Sequence, residues 1–296
     1  MRVLITGASG FIGSRLVNAA CVALGAEDVI AFSSKPAHPC PSIVYHSLDL
    51  NLSAVDHAML ATVDVLVHVG GFIPKHALQV DAIEECNGNI SFTEKLLALP
   101  FENLKKIIFI STVDVYEPAE LITEATPTLP VSLYGWSKLY CERMMAIFEA
   151  NHDLVCQILR IGHVYGPGEE KYAKVLPNAI KNILAGDAVE LWGDGSEVRS
   201  FIYIDDVVAT ILQAVTKVEN LGPINVVGDE AVSIRELLDK VIAVSGKRVA
   251  IMPREFNGAK TDYIFNNAKL RKHLLPTQTD LSAGLQAEYA YMARLV

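Results

Sequence analysis

Two side chains able to do acid-base chemistry stand four residues apart in Tyr134-Gly-Trp-Ser-Lys138. On a helix this spacing places a phenol and an ammonium on one face, one turn apart. A phenol with an ordinary pKa of ~10 becomes a useful base near neutrality only when positive charge stabilises its phenolate, and Lys138 is spaced to supply that charge. Alone, Tyr-x-x-x-Lys also describes many surface helix pairs, so its weight depends on what accompanies it. One companion lies at the N-terminus, where the apolar run Val3-Leu-Ile-Thr6 enters Gly7-Ala-Ser-Gly10-Phe-Ile-Gly13 and then a helix. Gly7 permits a tight turn, Gly10 lets the backbone approach phosphates, and Gly13 lets the helix pack on its strand. Phe11 and Ile12 open that helix, whose N-terminus would meet a dinucleotide pyrophosphate. The spacing is G-x-x-G-x-x-G rather than G-x-G-x-x-G, and its place directly after the first strand favours a nucleotide site over a structural turn.

The elements that must hold these groups alternate along the chain. Strand-like runs at Val3 to Thr6, Val29 to Phe32, Ile43 to His46, Val63 to Val69, Lys106 to Ser111 and Val155 to Arg160 are separated by helix-like stretches. The helices are expected at Phe11 to Leu24, Ser53 to Ala61, Leu78 to Leu99 and Tyr134 to Asn151. Several strands are continuously apolar, as strands buried on both faces should be. This is the pattern of a doubly wound α/β parallel sheet with helices on both faces. After Arg160 the chain becomes rich in glycine and proline. A further strand at Phe201 to Ile204, a helix from Asp205 to Val218 and a capping box at Ser233-Ile-Arg-Glu236 follow. The expected organisation is a dinucleotide-binding domain over residues 1–165, regained at about 200–225, and a smaller C-terminal lobe from 166–199 and 226–296.

The choice of dinucleotide turns on the end of the second strand. An acid there grips the adenosine ribose, whereas small polar or basic residues leave room for a 2′-phosphate. The chain reads Phe32-Ser33-Ser34-Lys35, and Asp28 stands at the wrong end of the strand. Ser33, Ser34 and Lys35 therefore favour NADP(H) over NAD(H), the alternative being that Lys35 is a solvated surface residue.

Composition narrows the partners. The chain has 296 residues, 51% hydrophobic and 20% charged, which excludes disorder and allows a sizeable core. Thirty-four acids against 25 bases give a net charge of −9, which would repel a nucleic acid backbone. The five cysteines are scattered, with no metal-ligand spacing, and read as buried thiols of a reducing cytoplasm. Met1 leads straight into a strand, leaving no room for a signal peptide, and no run reaches the ~20 apolar residues of a membrane span. A cytoplasmic protein with no membrane partner and no metal is expected.

With Ser111-Thr112 closing the fifth strand upstream of Tyr134 and Lys138, the chain resembles the extended short-chain dehydrogenase/reductase superfamily over nearly its whole length. Within it, the likeness is to the NAD-dependent epimerase/dehydratase family acting on nucleotide sugars. Asp49-Leu50, His68-Val-Gly-Gly71, Asn87, Ile110 to Tyr116, Leu159 to Gly168, Trp192 to Asp206 and Asn225 to Gly228 follow in that family's order. The resemblance implies a Rossmann-like fold with a substrate-binding C-terminal lobe. It also implies Tyr134 as acid/base, Thr112 as its hydroxyl partner on the substrate oxygen, and Lys138 as the clamp on the nicotinamide ribose. Asp49 and Leu50 would contact the adenine, Val69, Gly70 and Gly71 would pass close to the cofactor, and Asn87 would be the structural asparagine. Arg199 would face the nucleotide diphosphate, with an ion pair to Glu197 or Asp205 as the alternative. His163 stands where many relatives carry a substrate-contacting asparagine, so it is either a substrate ligand or a packed loop residue.

The implied reaction is hydride transfer at a ring carbon, C4, of a nucleotide-activated sugar. A 4-ketoreductase using dissociable NADPH leads, a 4-epimerase with captive NAD is the alternative, and a non-catalytic dinucleotide sensor or scaffold is third. The family's 4,6-dehydratases carry Thr-Asp-Glu where this chain has Thr112-Val113-Asp114. Valine cannot donate a proton, and on an extended strand the consecutive residues 113 and 114 point to opposite faces, so Asp114 should not reach across to replace the missing acid and elimination is not expected. The resemblance further implies a homodimer, formed through the helices Leu78 to Leu99 and Tyr134 to Asn151.

Overall fold

The computed structural model describes residues 1–34, 44–47, 55–256, 260 and 262–296. Seven parallel strands form the main sheet: β1 (Val3–Thr6), β2 (Val29–Ser33), β3 (Val44–Ser47), β4 (Val65–His68), β5 (Lys106–Thr112), β6 (Val155–Ile161) and β10 (Ile224–Val226). Their order is β10-β6-β5-β4-β1-β2-β3. Strand order reverses between β1 and β4, which opens a crevice at their C-terminal ends.

Because side chains alternate along a strand, each sheet face collects its own core. Ile5, Val67, Ile108 and Leu159 face Leu16 and Val17 of α1 (Phe11–Leu24) and Val207 and Ile211 of α6 (Ile204–Thr216). Leu4, Leu66, Ile107 and Phe109 face Leu96 of α3 (Ile83–Leu97) and Cys141 and Met145 of α4 (Leu133–Asn151). Between β3 and β4 lies the short α2 (His57–Leu60), capped by Asp56, whose carboxylate accepts from the Ala58 amide; Ser53 lies outside the described residues.

After β6 the chain adds β7 (His163–Tyr165), α5 (Val175–Ala185), β8 (Val189–Trp192) and β9 (Val198–Tyr203). It returns to the main sheet through α6 and β10, then leaves it again. The last elements are β11 (Ala231–Ser233), α7 (Ile234–Ser245), β12 (Ile251–Arg254), α8 (Ala268–His273) and α9 (Leu281–Ala293). Ile180 and Ile183 of α5, Leu237 and Val241 of α7, Leu285 of α9 and Val189 of β8 make a separate apolar core. The capping box at Ser233 and Glu236 is formed. Among the described residues no helix is long and apolar enough to cross a membrane.

One boundary differs from expectation for a tertiary reason. The helix read as starting at Leu78 starts at Ile83, because the preceding residues serve the next helix instead. Val80 O accepts from the Tyr134 amide at 2.9 Å and Asp81 Oδ1 from the Leu133 amide at 2.8 Å. Together with the Ser132 hydroxyl, which accepts from the Gly135 amide, they satisfy the first turn of α4.

Candidate active site

The glycine loop sits in the crevice between β1 and β4. Gly7 has φ of +68°, and a Cβ there would lie 2.7 Å from Gly70 Cα, so the loops after β1 and β4 touch backbone to backbone. A Cβ on Gly13 would fall 2.1 Å from Gly7 O, so only glycine lets α1 seat on the loop. Gly10 caps α1 without a side-chain hydrogen bond, and no acid occupies the first turn. The free amides and dipole of that helix end fit an anion such as a dinucleotide pyrophosphate. Phe11 and Ile12 contribute backbone there, while their side chains are core. The Phe11 ring packs edge-on to Tyr172 at 6.0 Å.

A buried polar chain fixes the second loop. The Gly70 amide donates to Thr6 Oγ1 at 2.9 Å, and Thr6 Oγ1 lies 2.9 Å from His68 Nδ1. On the other side His68 Nε2 lies 3.0 Å from Thr93 Oγ1, which itself donates to Asn89 O at 2.8 Å. With the Thr93 proton committed, His68 must donate from Nε2 and accept at Nδ1, a single tautomer set by its neighbours. Burial, with a smaller effect of the Lys138 charge, lowers the His68 pKa to about 3, so the ring is neutral.

Asn89, not Asn87, is the structural asparagine. Its Oδ1 accepts from the Phe72 amide at 2.6 Å, and its Nδ2 donates to Phe72 O at 3.2 Å and to Ser137 Oγ at 3.3 Å. Cys86, Asn89, Thr93 and Leu96 form the inward face of α3, and Asn87 points outward into a groove beside α4. Phe72, so held, packs edge-on to the Tyr134 ring with centroids 6.4 Å apart.

Tyr134, Lys138 and Thr112 are all buried, at 6%, 7% and 6% exposure. Burial raises the Tyr134 pKa, the Asp114 and Cys86 charges add to the rise, and the hydrogen-bonding influence of Thr112 opposes it. Burial lowers the Lys138 pKa to about 8, against the opposing effect of Cys141 and Glu142. Its Nζ lies 4.4 Å from the Phe109 ring centroid. The extended strand expected through Asp114 is not formed. The strand ends at Thr112, residues Val113–Val115 form a 3-10 turn, and Thr112 Oγ1 donates to Asp114 Oδ2 at 3.2 Å. Gly135 makes this possible, since a Cβ there would lie 2.3 Å from Asp114 O.

Beneath this cluster lies an ion pair that sequence reasoning missed. Glu142, two turns beyond Tyr134 on α4, accepts from Arg160 Nε at 3.0 Å and Nη2 at 2.7 Å and from Ser111 Oγ at 2.6 Å. Arg160 stacks 4.7 Å over Tyr116, whose hydroxyl donates to Asn225 Oδ1 at 2.7 Å. The available signal was the i, i+4, i+8 series Tyr134, Lys138, Glu142.

His163 and Arg199 meet around Tyr263. The His163 ring centroid is 5.9 Å from that of Tyr263, and the Arg199 guanidinium is 4.9 Å from the Tyr263 ring. The alternative pairing of Arg199 is present, with Nη2 3.3 Å from Glu197 Oε2. His163 has its Nδ1 buried without a hydrogen-bond partner, and burial, with Arg199 and Lys174, lowers its pKa to about 3. At the other end of the crevice Ser33 donates to Ser9 Oγ at 2.6 Å, tying it to the glycine loop, while Ser34 is exposed. Lys35, Asp49 and Leu50 lie outside the described residues.

Glycine turns at the sheet's reversal point and a buried Tyr-Lys pair are the features that a Rossmann-type oxidoreductase site would require. Residues 3–228 match the NAD dependent epimerase/dehydratase family, and the chain belongs to it. It is 28% identical over 313 residues, covering 100% of this chain and 99% of the relative, to a Bacillus subtilis (strain 168) protein described as an uncharacterized UDP-glucose epimerase, YtcB. It is also 28% identical over 291 residues, 87% of this chain and 86% of the relative, to a Streptomyces dTDP-4-dehydro-6-deoxy-D-allose reductase. Among solved structures, UDP-glucuronic acid 4-epimerase from Bacillus cereus, in complex with UDP-glucuronic acid and NAD, superposes with a TM-score of 0.86 at 27% identity, covering 100% of both chains. The same enzyme in complex with NAD alone gives 0.85, covering 100% of this chain and 97% of the enzyme.

These NAD complexes overturn the preference for NADP(H). That preference rested on Ser33, Ser34 and Lys35 as an open phosphate slot, and the Ser33 hydroxyl is already engaged by Ser9. The chain is an NAD-dependent sugar-nucleotide enzyme of this family.

Proposed function

We propose that the protein is a nucleotide-sugar 4-epimerase using NAD. The carrying observation is the buried Thr112, Tyr134 and Lys138 cluster facing the glycine crevice, in a chain matched end to end by an NAD-containing UDP-sugar 4-epimerase. The backbone of Gly7, Gly10, Phe11, Ile12 and Gly13 would hold the pyrophosphate, Ser33 and Ser34 the adenosine side, and Val69, Gly70 and Gly71 the far side of the crevice. NAD, when bound, supplies the hydride acceptor and later the donor. Tyr134 takes the proton from the sugar 4-hydroxyl oxygen and later returns it. Lys138 stabilises the phenolate and orients the nicotinamide ribose, and Thr112 donates to the same substrate oxygen. His163 and Arg199 would line the nucleotide side, Arg199 with a donor fork suited to diphosphate oxygens. Between the two proton transfers the 4-keto sugar must turn over, which the separate C-terminal core, as a substrate lobe, would accommodate.

A 4-ketoreductase is the second reading, favoured by the likeness to the dTDP-sugar reductase. An assay of purified protein with UDP- and dTDP-hexoses and their 4-keto forms, with and without added NADH, separates the two. The epimerase interconverts C4 epimers with no net change in absorbance, and Tyr134→Phe lowers its rate ~10²–10⁴-fold while NAD stays bound. Net NADH consumption with a 4-keto sugar and no epimer formation refutes it. We further read the protein as a cytoplasmic homodimer. The described cysteines are free thiols. Ile83, Trp136, Tyr140 and Ile147 leave an exposed apolar face on α3 and α4, beside a groove of about 670 Å³, which a second copy would cover.

A further inference from the structure

Thr112 carries one hydroxyl proton and faces two groups that want it. Its Oγ1 donates to Asp114 Oδ2 at 3.2 Å and also accepts from the Asp114 amide at 3.2 Å. The same hydroxyl acts on the Tyr134 phenol, whose ionised form needs a donor. A hydroxyl cannot donate to carboxylate and phenolate at once. If the carboxylate keeps the proton, the phenolate loses its hydrogen bond and faces a like charge; if Asp114 is protonated, the hydroxyl is free to turn. The position of Asp114 is fixed by the 3-10 turn and by Gly135 against its carbonyl, so the competition is built into the fold.

We infer that Asp114 is a positioning residue for the reaction, which restrains ionisation of Tyr134 by holding the Thr112 hydroxyl proton and by its own charge. The inference rests on the reading of Tyr134 as the acid/base. Among the described residues, Lys138 stands one turn from Tyr134 on α4, and its charge favours the phenolate. Arg199 on β9 faces Asp114 and favours its carboxylate, Tyr263 faces Asp114, and Cys86 on α3 faces Tyr134. Burial opposes Arg199 and the Thr112 hydrogen bond and raises the proton affinity of Asp114. The consequence is a coupled titration: uptake of a proton by Asp114 releases the Thr112 hydroxyl toward Tyr134 or toward the substrate oxygen. Such a device lets a tyrosine stay protonated in the empty enzyme and become basic when a ligand rearranges the cluster.

The test compares Asp114→Asn, which removes the charge but keeps an acceptor for Thr112, with Asp114→Ala, which removes both. Ring-labelled tyrosine is followed by NMR against pH in the presence of NAD, the Tyr134 signal being identified by its loss in Tyr134→Phe. Tyr134 should ionise at lower pH in Asp114→Asn by about one unit, a tenfold gain in phenolate at a given pH, and lower again in Asp114→Ala. The acid limb of kcat/KM should move in the same order. An unmoved signal in Asp114→Asn, or identical shifts in both variants, overturns the inference. The NMR arm needs no substrate, so ordered shifts without turnover of any nucleotide sugar would leave this inference standing and sink the proposed function instead.

Discussion

The Glu142–Arg160 pair offers a quantitative test of how the site is held. Both side chains are nearly inaccessible, at 4% and 5% exposure, and three charge-assisted hydrogen bonds converge on one carboxylate. Desolvating two charges costs about as much as their attraction returns, so the pair as a whole adds little net stability. Removing one partner is different, because the other is left charged and buried. Glu142→Met and Arg160→Met should each destabilise the fold by about 3–5 kcal/mol, against a total stability of about 5–15 kcal/mol. The double variant should cost far less than the two singles together, leaving a coupling of about 3 kcal/mol or more. Urea unfolding of the four proteins, read by circular dichroism, measures the cycle. The pair also bears on chemistry, since Glu142 opposes the loss of charge at Lys138. Replacing it by methionine should move the alkaline limb of activity to lower pH. Single variants that each cost under about 1 kcal/mol, or a double variant that is simply additive, would refute the account of a buried, mutually dependent pair.

Two further outcomes follow from other parts of the fold. Glu288 on α9 is fully buried with neither carboxylate oxygen hydrogen-bonded to a side chain, and burial, with Glu169 and Glu170 nearby, raises its pKa from 4.5 to about 8. The folded protein therefore binds this proton more tightly than the unfolded chain, so the contribution is present below pH 4.5 and lost as pH rises to about 8, at up to about 1.4 kcal/mol per unit. Glu288→Gln should raise Tm at pH 8 and change it little at pH 4.5, and an equal effect at both would remove the argument. Gly13→Ala must push its Cβ into the Gly7 carbonyl and should cost at least about 1–3 kcal/mol, with loss of NAD binding by calorimetry. Gly88→Ala, with nothing within 4 Å, should instead stabilise α3 by up to about 1 kcal/mol in thermal melts.

The sequence by itself determined the alternation of strands and helices, the glycine turn and the Tyr134-Lys138 pair. Each is written in a local period: continuous apolar runs for doubly covered strands, glycines where backbone must touch backbone, and four-residue spacing for one helical face. The order of motifs also pointed to the family. What it could not determine were choices made between segments far apart in the chain. Asn87 and Asn89 differ by two positions, and only the rotation of α3 against Phe72 and Ser137 decides which one is inside. Leu78 is as apolar as a helix residue should be, but the backbone around Val80 and Asp81 is claimed by the start of α4. Asp114 shares the face of Thr112 in an ideal strand but stands two residues further along it, and the 3-10 turn that folds it onto the Thr112 hydroxyl depends on a glycine 21 positions later. The pairing of Glu142 with Arg160 joins a helix to a strand 18 residues on. Local period sets which face a residue takes within its own element; packing between elements sets where that element begins, ends and turns, and it was there that the site's polar partners were chosen.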